Sequence, residues 1–226
     1  MTDATATRDD AVERLRRLPV TTISDALDRL GIAGQCLGIK PLDPRFRMCG
    51  RALTMRTIPV DVEHGTVGDY IDDVGPGRVI VIDNGGRPDA TVWGDILTRV
   101  AHAKGVAGTV IDGHCRDITR SLELGYPIYS RGWSMRTGKD RVQLDGFNVP
   151  VSIGDARVSP DDLLAGDANG VVVVPRAREM DVVVLAEQVH AAEEAIVRAV
   201  EGGMRLDEAR TRFRYFDLQR RQREDE

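Results

Sequence analysis

Gly94-Asp95-Ile96-Leu97 and, one helix and one strand later, Asp112-Gly113-His114-Cys115-Arg116-Asp117 carry residue types that together hold and polarise a small anion. If a helix starts close to Trp93, the amides of Gly94 through Leu97 are among its unpaired N-terminal donors and face a cleft at the positive end of the helix dipole. Gly94 admits close backbone approach, which a side chain would obstruct. Arg116 presents paired donors that stay charged throughout a reaction and suit the carboxylate of a 2-oxo acid. Asp117 adds the hard oxygen that Mg2+ or Mn2+ takes, with water and substrate oxygens completing the coordination. Asp95 is placed to orient a water on that cation, and Asp112 to do the same or to brace the loop. Each group also has a plainer reading: Arg116 with Asp117 as a local ion pair, Asp95 as an ordinary first-turn acid, Gly94 as relief of packing.

Other chemistries lack their residues. Gly75-Pro76-Gly77 has neither the further glycines nor the helix of a dinucleotide loop, and no Gly-Lys-Ser/Thr phosphate loop occurs. Ser130-Arg131-Gly132 is no nucleophile elbow. His114, Cys115 and Asp117 are too close in sequence to converge on one zinc, so His114 reads as a support to the site. Cys36, Cys49 and Cys115 have no CxxC spacing, which predicts reduced thiols and a cytoplasmic location.

The elements that must position these groups follow from periodicity. Val79 through Asp83 reads as a buried strand closed by an Asn84-Gly85-Gly86 turn. Ala90, Trp93, Leu97, Val100 and Ala101 read as a helical face, and Val106 through Ile111 as the next strand, a right-handed βαβ crossover. Helices are predicted around Val12, Leu15 and Leu18, and from Thr22 as N-cap through Leu30. A short helix is expected within Glu63 to Val74, and a long one from about Arg178 to Glu201. Strands are expected at Ala52–Ile58, Pro127–Ser130, Val149–Ile153 and Gly170–Pro175. The 226 residues, 42% of them hydrophobic, suit one core rather than two. That places one α/β domain at residues 1–203 and a charged arm at 204–226, whose Phe213, Tyr215, Phe216 and Leu218 are expected to dock on another subunit. A formal net charge of -5 gives no reason to expect nucleic acid as a partner, and no apolar run reaches membrane-spanning length.

The chain resembles the family that contains the regulator of ribonuclease E activity A and the class II 4-hydroxy-4-methyl-2-oxoglutarate or 4-carboxy-4-hydroxy-2-oxoadipate aldolases. The resemblance is carried by Pro76-Gly77, Val81 through Gly86, Ala90, Trp93-Gly94-Asp95, Gly105 through Gly108, Val110 through Gly113, Arg116-Asp117, Gly125 through Gly132, and Gly166-Asp167 to Gly170 through Pro175. It implies a swivelling-type β/β/α sandwich with a helical C-terminal extension, assembled as a homotrimer or hexamer. It further implies a divalent cation on Asp117, pyruvate on Arg116 and the Gly94 to Leu97 amides, and Asp95 in the water network. Glu193 or Glu194 would correspond to a glutamate that reaches the site from a neighbouring subunit. The implied reaction is retro-aldol cleavage of a 4-hydroxy-2-oxo diacid, with oxaloacetate decarboxylation as a second activity. The alternative is a non-enzymatic regulator that binds a ribonuclease or helicase. Arg120 departs from the acid common three positions beyond the metal aspartate, and the Arg120 region, His114 and neighbouring-subunit residues are expected to contribute to the far wall that selects the substrate.

Overall fold

Val79 through Ile82 are buried completely or nearly so, which only the middle of a sheet covered on both faces provides. They belong to strand β3 in the computed structural model, which describes residues 9–62, 65–67 and 69–215. In chain order the elements are α1 (Asp10–Leu15), α2 (Val20–Arg29), β1 (Lys40–Pro41), β2 (Met48–Pro59), a single 3-10 turn at Asp69–Asp73, β3 (Arg78–Thr91), α3 (Asp95–Ala103), β4 (Gly108–Cys115) and α4 (Ile118–Leu124). They continue with β5 (Ile128–Trp133), β6 (Val142–Phe147), β7 (Val151–Ile153), β8 (Ala156–Val158), β9 (Leu163–Asp167), β10 (Gly170–Val174), α5 (Glu179–Glu201) and α6 (Leu206–Arg212).

The large sheet runs β1-β5-β4-β3-β2-β9-β10, and β2, β3, β4 and β5 are parallel to one another. Strand β2 is long enough to hold two further neighbours: Met48–Arg51 pairs antiparallel with β9, and Met55–Pro59 with β6. The β7-β8 hairpin closes over the inner face, where Val81, Val110, Tyr129, Leu164 and Val158 pack together. Helices α1, α2 and α5 cover β9 and β10 through Ile23, Leu27, Val174 and Val182. On the remaining face Ile80, Ile82, Ile111, Ala101, Trp93 and Tyr126 form a third cluster, under α3. Each fully buried large aliphatic side chain in these clusters contributes about 1.5–3 kcal/mol. The result is the mixed α/β domain that the sequence pattern predicts, with the layered sheet-and-helix architecture that the family resemblance implies and a C-terminal helix.

Three expectations need correction. Thr22 does not cap α2: the helix starts at Val20, whose amide donates to Asp167 Oδ2 at 3.0 Å. The cap therefore comes from a side chain 147 residues away, and Thr22, buried inside the helix, donates to Glu193 Oε2 at 3.1 Å instead. Asn84-Gly85-Gly86 does not end its strand. Between Asp83↔Asp112 and Thr91↔His114, β3 uses far more residues than β4, so the glycines, at φ 61° and 70°, form an excursion within a continuing pair. Ala90 and Trp93 also precede α3 instead of lying in it, because the helix begins at Asp95.

The predicted helix in Glu63 to Val74 is the 3-10 turn Asp69–Asp73; Glu63, His64 and Gly68 lie outside the described residues. The arm contributes α6, which packs on α5 through the buried Ala209, and places the Arg210 guanidinium 5.4 Å from the Tyr215 ring centroid. Phe216, Leu218 and the charged end lie outside the described residues. No described helix is long and apolar enough to cross a membrane.

All three cysteines are free and buried. Burial pushes the Cys36 and Cys49 thiols up from the ordinary 9.0 to about 12, and Cys115 to about 11. The folded state thus retains these protons when the unfolded chain has lost them. The associated stability is fully present below pH 9 and is lost as pH rises toward 12. A thiol reagent at pH 8 is expected to titrate no cysteine in the native protein and all three in guanidinium; rapid native labelling would contradict this burial.

Candidate active site

Strands β3 and β4 end side by side, so the turn into α3 and the turn into α4 open at the same edge of the sheet, where parallel α/β sheets place their ligands. Gly94 is the N-cap of α3, and the first intrahelical bond runs from Thr98 N–H to the Gly94 carbonyl at 3.1 Å. The amides of Asp95, Ile96 and Leu97 come before that bond and point out of the helix end. The turn is anchored from below: the Trp93 indole donates to Thr98 Oγ1 at 2.9 Å, and its ring stacks on Tyr126 at 6.2 Å.

Arg116 and Asp117 stand directly against this turn. The Arg116 amide donates to the Trp93 carbonyl at 2.9 Å, which fixes the two turns together. Arg116 Nε lies 3.4 Å from Asp117 Oδ2, and the Asp95 amide lies 3.4 Å from the same oxygen. A Cβ on Gly94 would sit 3.0 Å from Asp117 Oδ2 and 3.3 Å from Arg116 Nε, so a side chain here would press both groups outward, while the backbone itself is extended. Asp117 itself has φ 55°, a left-handed conformation that aspartate accepts more readily than most residues and that occurs often at functional turns. Both side chains remain accessible, Arg116 at 41% and Asp117 at 45%. Asp95 is also open at 44%, with Arg99 at 3.8 Å.

The other predicted residues fall elsewhere. The Asp112 carboxylate is committed: Arg131 binds both of its oxygens and the Gly154 amide donates to it at 2.8 Å, tying β4 to β5 and to the β7-β8 hairpin. His114 lies against Gly132, where a Cβ would meet its Nε2 at 2.8 Å, and its buried Nδ1 has no hydrogen-bond partner among the described residues. Arg120 pairs with Glu123 at 2.6 Å. Glu193 accepts from Thr22, and Glu194 lies 3.6 Å from Arg198, so within one copy of the chain α5 brings neither to Asp117.

The cavity at this edge measures about 570 Å³, and Gly94, Asp95, Ile96, Leu97 and Arg116 are part of its lining. Within one copy of the chain the described lining does not include Arg120 or His114; it carries Thr66, Val67, Asp72, Thr137 and Lys139. Sequence reasoning missed Thr137 and Lys139 because they sit in an irregular segment between β5 and β6; its one signal is the turn composition of Thr137-Gly138-Lys139-Asp140.

Among the described residues no three His, Cys, Asp or Glu side chains converge as a metal-binding group. A divalent cation held by the accessible Asp117 carboxylate would keep most of its shell as water and ligand oxygen, as Mg2+ does.

The family model for RraA-like proteins, described as Aldolase/RraA, matches residues 20–173. Protein DlpA of Legionella pneumophila is 37% identical over 92% of the chain, which spans only 34% of that longer protein. A Halalkalibacterium halodurans protein, named as a candidate 4-hydroxy-4-methyl-2-oxoglutarate aldolase, is 37% identical over 84% of the chain and 89% of its own length. The crystal structure of an uncharacterized protein from Pseudomonas syringae superposes with a TM-score of 0.83 at 42% identity, covering 88% of this chain and 96% of the other. RraAS2 of Streptomyces coelicolor, described as an unusual member of the RNase ES inhibitor RraA family, gives 0.77 at 30% identity over 83% of this chain and 96% of its own.

Proposed function

Since this chain belongs to the RraA-like family, we propose that it is a divalent-metal-dependent lyase that cleaves a 4-hydroxy-2-oxo diacid to pyruvate and a second oxo acid. The observation that carries this reading is the convergence of the Asp95 amide and Arg116 on Asp117 Oδ2, each at 3.4 Å, beside a cavity lined by Gly94 through Leu97 and Arg116. The aldolase name of the Halalkalibacterium relative supports it.

Asp117 would hold the Mg2+, which when bound supplies Lewis acidity toward the 2-oxo acid. The chain's own groups do the rest. The Ile96 and Leu97 amides and the Arg116 fork receive the substrate carboxylate, which orients the C3–C4 bond in the cavity. When that bond breaks, its electron pair stays with the three-carbon fragment as the enolate of pyruvate, and the C4 hydroxyl proton leaves as C4 becomes a carbonyl. Arg116 faces the charge that develops, from a backbone held by the hydrogen bond of its N–H to the Trp93 carbonyl. Asp95, open to the cavity and adjacent to the amides, accepts the hydroxyl proton directly or through water. Protonation at C3 releases pyruvate. Loss of carbon dioxide from oxaloacetate would give the same enolate, so decarboxylation is the expected second activity. Assembly as a trimer or hexamer, in which a neighbouring Glu193 or Glu194 completes the site, belongs to the same proposal.

The test is a pyruvate-coupled assay with 4-hydroxy-4-methyl-2-oxoglutarate and with oxaloacetate, run with Mg2+ and with chelator. Pyruvate release that requires the metal is expected with both; no pyruvate from either would overturn the lyase reading. The Streptomyces neighbour favours a second reading, a non-enzymatic regulator that binds a ribonuclease or helicase. Inhibition of a ribonuclease by a protein without lyase activity would establish it.

A further inference from the structure

One peptide unit joins the two halves of the site. The Gly94 carbonyl and the Asp95 N–H belong to the same trans peptide and so point in opposite directions. The N–H faces Asp117 Oδ2 at 3.4 Å, while the carbonyl takes two donors from one residue, the Thr98 N–H at 3.1 Å and the Thr98 hydroxyl at 2.9 Å. A threonine hydroxyl that bonds back to the carbonyl four residues earlier is common in helices and by itself carries no role. Here the hydroxyl proton is directed to the carbonyl, because the Trp93 indole, which can donate but not accept, points at Thr98 Oγ1 from 2.9 Å.

Trp93 is itself held at both ends. Its carbonyl accepts the Arg116 amide at 2.9 Å, and its ring stacks on Tyr126, whose hydroxyl lies 2.8 Å from Thr109 Oγ1 on β4. Trp93 and Thr98 are 2% and 1% exposed, and Thr98 takes no part in the described lining of the cavity. A hydroxyl in that place reaches the site through the peptide between Gly94 and Asp95. Donors on the carbonyl also polarise that peptide and strengthen its N–H as a donor.

We propose that Thr98, oriented by the Trp93 indole, is a positioning residue for the anion site: it aims the Asp95 N–H toward Asp117 and keeps the open amides of the α3 turn directed at the carboxylate of the bound oxo acid. This rests on the lyase reading and deepens it. The chain from indole to hydroxyl to carbonyl runs from the sheet to the α3 turn, so the loss of either link lets the peptide between Gly94 and Asp95 rotate and weakens the ligand's hold.

The experiment compares Thr98→Val, Thr98→Ser, Trp93→Phe and the double variant Trp93→Phe/Thr98→Val with the unmodified protein, by calorimetric titration with pyruvate in the presence of Mg2+ and by thermal unfolding. Thr98→Val keeps the shape of the side chain and removes its hydroxyl. It is expected to raise the pyruvate Kd about 10-fold, within the range of one neutral hydrogen bond, and Thr98→Ser to stay within about 3-fold of the unmodified protein. The double variant should bind pyruvate no more than about 2-fold more weakly than the weaker of the two single variants, because the two groups act as one chain. Thr98→Val leaves the indole buried without an acceptor; if it does not fold, the double variant, which removes both polar groups, takes its place in the comparison with Thr98→Ser. An unchanged pyruvate Kd in Thr98→Val, with or without a shift in unfolding, makes the hydroxyl merely structural and overturns the inference while the lyase reading stands. An equal loss in Thr98→Ser overturns it as well. A folded unmodified protein that binds no pyruvate would instead overturn the lyase reading, and this inference with it.

Discussion

Asp117→Asn is expected to reduce pyruvate formation by about 10³-fold or more, equivalent to about 4 kcal/mol of transition-state stabilisation. Asparagine is the informative replacement because it keeps the size of the side chain and tolerates the left-handed backbone at φ 55°, so the fold is preserved and only the charge and metal affinity are removed. Alanine at the same place would add a backbone penalty of about 1 kcal/mol and blur the comparison. The side chain accepts weakly from the Asp95 amide and faces Arg116, contacts that an amide oxygen retains. Thermal unfolding of the variant should therefore match that of the unmodified protein while turnover collapses and added Mg2+ no longer stabilises. Activity within about 10-fold of the unmodified protein would remove Asp117 from the role assigned to it.

Arg116→Ala is expected to cost about 10²- to 10³-fold in kcat/KM, the loss typical when one positioned donor to a developing oxyanion is deleted. The backbone tie from residue 116 to the Trp93 carbonyl survives the change, so the α3 turn stays in place and the loss reports on the guanidinium. Arg116→Lys should recover only part of it, since an ammonium keeps the charge but not the two-donor fork. The loss should appear in kcat as well as in KM, because the group faces charge that grows as the bond breaks. If only KM rises, Arg116 is a carboxylate anchor and the enolate is stabilised by other groups.

Much of this site is legible in the sequence because it is local. The β-branched run at Val79–Ile82, the glycine before α3 and the second apolar strand ending near Arg116 define a β-α-β unit, and that unit alone brings Gly94–Leu97 to Arg116 and Asp117. What escapes is set by contacts distant in the chain. The cap of α2 is Asp167, which no local pattern could name. The continuation of β3 past Gly85-Gly86 depends on how β4 pairs with it, and isolated glycines read as a turn. Asp112 is recognisable as a buried acid only once Arg131 and Gly154 are seen around it. Lys139 reaches the cavity because its turn is stitched to Thr91, a pairing across an irregular segment without periodicity. Glu193 and Glu194 lie on a helix that covers a different face of the sheet, so any part they play requires another copy of the chain.

The central claim is that Gly94–Leu97, Arg116 and Asp117 stabilise a small enolate, and hydrogen-deuterium exchange at the methyl group of pyruvate, followed by proton NMR in D2O, tests it without reference to the full substrate. With Mg2+ present, the unmodified protein should exchange the methyl protons far above the solvent background, and Asp117→Asn and Arg116→Ala should both fall to near that background. Exchange that persists undiminished in Asp117→Asn, or a folded unmodified protein that catalyses none, would contradict the claim.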